Sequence, residues 1–488
     1  MGYKATLLLL LLVVGYGVSV SMGYREEGEE EWGSGEREGR GREKHPEEEE
    51  PSFLLQDSKK VFRTDAGEMR VVRSFGGRIV DRPMHIGFIT MEPQSLFIPQ
   101  YLDSSLIIFI RLGEAKIGHI YKDELSERRM KPGDIYRIPA GSAFYIVNTA
   151  EGQRLQIICS IDPSESLGLG LFQSFYIGGG SYPPSILAGF DPETLTNAFN
   201  VTRKELGDIF TRQQGGPVVF IGDSRAPRVW SKFLQLKEKD RLQPLKRMVG
   251  SHQESIEQED QTKWSWRKLL ISIFGEENRK KGDRTGKAPD SYNIYHRSPD
   301  FRNRYGSSMA LDASDYSPLK HSGIGIFYVN LTAGSMLAPH VNPTATEYGI
   351  VLRGSGRILL VFPNGSSAMD AKVSEGDVFW VPRYFAFCQI ASRTGPFEFF
   401  GFTTSARKNK PQFLAGSNSL LHALQGPELA ASLGISEDRI KRFLESQREA
   451  VILPSASAAP PEMKYHKEET VMPKIIKSFE NDMIMGFD

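Results

Sequence analysis

The chain has 488 residues, 40% of them hydrophobic and 25% charged, which is enough for two or three domains around a large buried core. Sixty basic residues balance sixty acidic ones, and that neutrality argues against a nucleic-acid protein with its usual basic excess. Two cysteines, Cys159 and Cys388, exclude a disulfide-dense scaffold, a zinc finger and an iron–sulfur protein.

Residues 1–21 read as a signal peptide: one positive charge at Lys4, an apolar run from Ala5 to Val20, and small residues at Ser19 and Ser21. The run is short of the ~20 residues a membrane helix needs, so no stable membrane span is expected once it is removed. Entry into the endoplasmic reticulum is expected, and three acceptor triplets suit that route, at Asn200, Asn330 and Asn364. Residues 22–51 form a Glu/Gly-rich arm. Between 24 and 50, twelve Glu stand against five Lys or Arg, a segment that buries almost nothing and reads as a disordered, solvated spacer.

Over residues 52–235 short β-rich runs appear at Met69–Arg73, Met84–Met91, Leu106–Arg111, Ala115–Ile120, Ile135–Ile138, Phe144–Asn148 and Leu155–Ser160. Strands at such spacing, without intervening helices, indicate a sandwich or barrel. Ser185 to Gln213 then turns helical, with Asp191-Pro192 as a start signal. Residues 236–290 read as a charged linker, inside which Trp264 to Gly275 has one apolar face at helical spacing. Over 291–450 the first pattern returns, with strands expected at Ile324–Asn330, Tyr348–Leu352, Arg357–Phe362, Val378–Val381, Phe385–Ile390 and Phe397–Thr403, and helix from Leu420 to Gln447. Residues 451–488 are a C-terminal tail.

The two halves repeat. Gly133-Asp-Ile-Tyr-Arg-Ile-Pro139 matches Gly376-Asp-Val-Phe-Trp-Val-Pro382, and Val201, Ile209 and Gln213 match Ile435, Phe443 and Gln447. A repeat this long indicates a duplicated domain of barrel plus helices. Cys159 and Cys388 fall in different copies, so both are expected free.

Gly334-x5-His340-x-Asn342-x4-Glu347-x6-Gly354 resembles the first cupin motif. Gly376-x5-Pro382 and Gly133-x5-Pro139 resemble the opening of the second. With "SILAGFDPETLTNAFNV" and "YNIYHRSPDFRNRYG", residues 55–450 are similar to the vicilins, the 7S globulin seed storage proteins of plants. The resemblance implies a mainly β fold of two jelly-roll (cupin) barrels, each with a helical extension, joined through those extensions into a homotrimer. Leu195, Phe199, Leu206 and Phe210 form an apolar stripe on the first extension, and Leu429, Leu433, Ile440 and Phe443 on the second. Such stripes must be buried, against their own barrel or against another copy.

A catalytic metal cupin needs three imidazoles and a carboxylate around a divalent ion. The corresponding positions of the first barrel read Gln100, Leu102, Leu106 and Phe144, from which a packed apolar interior is expected. Those of the second read His340, Asn342, Glu347 and Phe387, half a ligand set. Cys388 beside Phe387 keeps copper or zinc open, with His340, Glu347 and Cys388 as ligands. Strand alternation would point Cys388 outward unless a bulge intervenes; the alternative is a buried, hydrogen-bonded histidine and an inert thiol. No Gly-x-Ser-x-Gly elbow, P-loop or His-Glu-x-x-His occurs.

The sequence therefore points to a non-enzymatic seed storage globulin, glycosylated and sent through the secretory pathway to protein storage vacuoles, with no required cofactor and no nucleic-acid partner. A rival reading is a bicupin that binds a metal or a small molecule such as a sugar or phenolic, as sucrose-binding-like relatives of vicilins suggest. A metal oxidoreductase ranks third.

Overall fold

The computed structural model describes residues 53–74, 82–122, 124–150, 152–221, 290–407 and 410–461. The expected signal peptide, the Glu/Gly-rich arm, the expected linker with its Trp264–Gly275 segment, and the residues beyond 461 lie outside the described residues.

The first half folds as two antiparallel sheets. One runs in the order Tyr292–Asn293, Asp134–Ile138, Ser105–Leu112, Leu155–Asp162, His85–Met91, Gly67–Val72, Ser58–Thr64. The other runs Ser174–Tyr176, Ser95–Leu102, Phe144–Asn148, Ala115–Tyr121, Glu124–Met130, with Val218–Phe220 also paired to Ser95–Leu102. Alternate residues point between the sheets, so Ile108, Ile110, Ile117, Ile146, Leu155 and Ile157 share one buried cluster. Two strands are hard to see in the sequence. Ser95–Leu102 carries Pro99 at its middle, and Glu124–Met130 is a polar strand at the sheet edge.

In the second half a single strand, Glu347–Val361, replaces the two expected at Tyr348–Leu352 and Arg357–Phe362. It passes through Arg353 and Gly354, where the register with Phe397–Thr403 shifts and Gly354 takes φ +79°. The bulge bends the strand from one sheet into the next, so both join into one twelve-stranded sheet.

The helical extensions are broken, not continuous. Helices Pro192–Phe199 and Arg203–Thr211 are separated by Asn200 at φ 52°, with the Thr202 hydroxyl accepting from the Glu205 N–H. Pro427–Ser432 and Glu437–Glu445 are separated by Gly434. Each pair is framed alike. Val218 pairs with Phe97 after the first, and Ile452 pairs with Leu337 after the second.

The barrels also exchange edge strands. Leu54 and Leu55 pair with Phe379 and Val378 of the second barrel, while Tyr292 and Asn293 pair with Ile135 and Asp134 of the first. Between the barrels the Phe109 and Phe400 rings stack at 4.0 Å. Arg111 donates to the Leu352 carbonyl at 2.8 Å and pairs with Glu375.

Candidate functional site

The mouth and interior of the second barrel hold a cavity of about 410 Å³. His340 reaches it from the strand Ser335–Val341, opposite Phe387 on one side and Phe413 on the other. Its ring lies 4.0 Å from the Phe387 ring and 5.2 Å from that of Phe413. Nδ1 is 2.7 Å from the Ala338 carbonyl. A carbonyl accepts, so Nδ1 carries the proton and Nε2 is a bare lone pair. Burial pushes the imidazole pKa down to about 4, so it is neutral across ordinary pH.

Asn342 organises the turn that follows. Its Oδ1 accepts from the Thr344 and Ala345 amides, both at 3.1 Å, and from the Thr344 hydroxyl at 3.0 Å. Its Nδ2 donates to Glu347 Oε1 at 2.6 Å. Burial raises the Glu347 carboxyl to about 7, and the Asn342 bond opposes part of that rise.

Gln389, missing from the residues singled out by motif, completes the set. It stands two residues after Phe387 on the same face, and period two was the signal that could have found it. It is 1% exposed, it lines the cavity, and its Oε1 has no protein partner. Cys388 points to the other face, as alternation requires. It packs with Met336, Leu359, Ile390 and Ala459, and burial lifts its thiol to about 11. The structure thus brings His340, Asn342 and Glu347 together and leaves Cys388 apart. Among the described residues no group of three or more His, Cys, Asp or Glu is placed to hold a metal ion. One imidazole, a carboxyl already bonded to Asn342, and a phenylalanine at the second-motif position do not fit a cupin metal.

The first barrel is built to the same register. Gln100 pairs with Phe144 as His340 pairs with Phe387. Leu102 and Leu106 join the apolar cluster. The interior is not wholly apolar, however. Gln100 is fully buried with Oε1 unpartnered, and His119 on the other side of Phe144 sits 2.7 Å from the Tyr136 hydroxyl. Burial holds His119 down at about 4.

The extension stripes divide. Leu195, Leu206 and Ile440 are buried within their own helical units, Phe210 and Leu429 are half-buried, and Phe199, Leu433 and Phe443 are exposed, the last by 64%. Of the sequons, Asn200 and Asn364 are exposed, and Asn330 is half-buried within a strand flanked on both sides. Among the described residues no helix is long and apolar enough to cross a membrane.

A family profile described as Cupin matches residues 292–441. A vicilin-like seed storage protein of Arabidopsis thaliana is 58% identical over 417 residues, covering 84% of this chain and 81% of that one. Among solved structures, vicilin from Corylus avellana aligns with a TM-score of 0.65 at 21% identity, over 83% of this chain and 99% of the other. Vicilin from Solanum melongena, in which different anionic ligands occupy structurally similar pockets, aligns with a TM-score of 0.65 at 18% identity, over 82% and 97%. The duplicated barrels, the paired helical extensions and these likenesses agree, and the chain belongs to the vicilin-like seed storage proteins, the 7S globulins that serve as nutrient reservoirs.

Proposed function

We propose that this nutrient reservoir works without catalysis, as a ring of three identical copies delivered through the secretory pathway to seed storage vacuoles. The carrying observation is the matched pair of extensions, each of which ends with large apolar side chains in water: Phe199 on the first, Leu433 and Phe443 on the second. The helices of each extension pack on each other with Leu195, Leu206 and Ile440 buried, and the exposed side chains remain to bury against another copy. A head-to-tail contact of one extension type with the other closes a ring. Glycans at Asn364 or Asn200 suit that route, since both side chains are exposed.

Light scattering on protein from mature seed tests the reading. A mass three times that of one chain is expected, and the double variant Phe199→Asp, Phe443→Asp should be monomeric, because burying an unpaired carboxylate costs several kcal/mol. A trimer that survives the double variant would refute the interface.

One observation favours a second role beside storage. The second barrel keeps a cavity of ligand size in which a buried carboxamide oxygen has no protein partner. We read this cavity as a small-molecule pocket.

A further inference from the structure

We propose that the cavity of the second barrel selects an uncharged aromatic ring bearing hydroxyl groups, and discriminates against anions, sugars and metal ions. This rests on the reading of that cavity as a small-molecule pocket, and it commits that reading to one ligand chemistry.

The polar atoms without a protein partner that face the interior are acceptors. His340 presents Nε2 with no proton, because Nδ1–H is given to Ala338. Gln389 presents a carbonyl oxygen with no partner. Each calls for an O–H or N–H donor from the ligand, and an unmet buried acceptor is what a matching donor corrects. Glu347 adds a carboxyl, held by Asn342. A carboxylate ligand entering here finds no buried cation. His340 is neutral above about pH 4. Arg297 is already paired with Asp300 and Asp315, and Arg407 and Lys410 are exposed. An anion would sit unpaired beside Glu347, a poor arrangement in a low-dielectric site.

The walls supply the rest of the specificity. Phe327, Val329, Leu337, Phe399 and Phe413 line the same space. A sugar has hydroxyl groups around its whole rim and would leave several of them unpaired against these side chains. A flat ring meets them with apolar surface and turns one or two hydroxyls to His340 and Gln389. The chain thus departs from the Solanum melongena vicilin, whose pockets take anions.

Fluorescence titration of the full chain at neutral pH tests this with four probes: 2,7-dihydroxynaphthalene, 2-naphthoate, sucrose and zinc ion, the last two by displacement of the first. Dihydroxynaphthalene should bind one per chain, at least tenfold tighter than naphthoate, with no displacement by sucrose or zinc. Gln389→Leu should weaken it about tenfold or more without lowering thermal stability, since an apolar group of similar shape replaces an amide whose buried oxygen has no partner. His340→Gln, which installs the residue of the matching position in the first barrel, should weaken it likewise. Cys388→Ser, on the opposite face, should change nothing. Naphthoate binding as tightly as the diol, or zinc binding at one per chain, would overturn the ligand class. Diol binding indifferent to both Gln389→Leu and His340→Gln would overturn the site. If no probe of any class binds, the pocket reading itself fails, while light scattering on the same samples reports the storage assembly separately.

Discussion

Glu347 gives the fold a pH dependence opposite in sign to that of most carboxylates. Its carboxyl is buried and raised from an ordinary 4.5 to about 7 by desolvation. Below 4.5 the folded and unfolded chains both hold the proton and nothing is lost. Between 4.5 and about 7 the unfolded chain gives up the proton while the folded chain keeps it, so stability falls as pH rises through that window. At about 1.4 kcal/mol per pH unit, the full loss is about 3 kcal/mol, reached near pH 7 and constant above it. Glu347→Gln removes the ionisation and keeps an oxygen to accept from Asn342 Nδ2. The variant should therefore match the parent at pH 4 and exceed it by about 3 kcal/mol at pH 8. The neighbouring His340 imidazole, held at about 4 against an ordinary 6.5, adds stability as pH rises through much of the same window, but it does so in both proteins and cancels in the difference between them. Urea unfolding of both proteins at pH 4 and pH 8, at one fixed protein concentration, measures the difference. A stability gap between the two proteins that is the same at both pH values would refute the account of Glu347 as a buried, protonated carboxyl.

Three further outcomes follow from the packing. Phe109→Ala removes one ring of the stack between the barrels, whose two members are fully buried, and should cost about 3–5 kcal/mol in denaturant unfolding. Gly354→Ala should lower the melting temperature far more than Gly365→Ala. Both positions have φ near +80°, but a Cβ at Gly354 would lie 1.8 Å from the Pro396 carbonyl, whereas nothing lies within 4 Å at Gly365. Cys159 and Cys388 should resist a thiol reagent at pH 8 in the native protein and both react on unfolding, since burial lifts their pKa values to about 12 and 11.

The barrels were legible in the sequence because a half-buried strand writes its burial as alternation. The runs at Phe144–Asn148 and Val378–Val381 appear as strands with those bounds. The repeat was legible because both copies reuse one turn, Gly-Asp before a Pro, in which Gly133 and Gly376 take positive φ. The matching of Gln100 to His340 is what the cupin resemblance implies, and the strand register agrees with it. Strand exchange was not legible. Leu54–Leu55 and Tyr292–Asn293 are too short to carry a pattern, and their partners lie more than 150 residues away. The division of the extension stripes was hidden for another reason. Helical spacing says which residues share a face, but Leu195 and Phe199 share one and differ completely in exposure. The turn at Asn200 ends the first helix directly after Phe199, and the two helices pack on each other with Leu195 and Leu206 buried and Phe199 left exposed at the end.

The contrast between the two interiors turns on glycines that the sequence reads as punctuation. Gly349 and Gly401 stand opposite each other in the middle of paired strands of the second barrel. Neither has positive φ, so neither serves a turn. A Cβ on Gly349 would lie 2.1 Å from the Phe379 ring, and one on Gly401 would lie 2.3 Å from the Phe327 ring. The strands have given up side chains so that two phenyl rings can lie against bare backbone. In the first barrel the corresponding pair is Ile108 opposite Cys159, with Tyr136 across from Ile108. There the volume comes from the strand residues themselves, and Tyr136 turns its hydroxyl to His119. The same frame is thus filled from its walls in one copy and by rings laid across glycine in the other. Phe327 is one of those rings and also a wall of the cavity that holds His340 and Gln389. A duplicated storage protein needs two stable barrels, and either filling supplies one. Both interiors keep a neutral histidine and a carboxamide oxygen without a protein partner, His119 with Gln100 in the first and His340 with Gln389 in the second, and in the second barrel these two groups line a ligand-sized space that storage alone does not need.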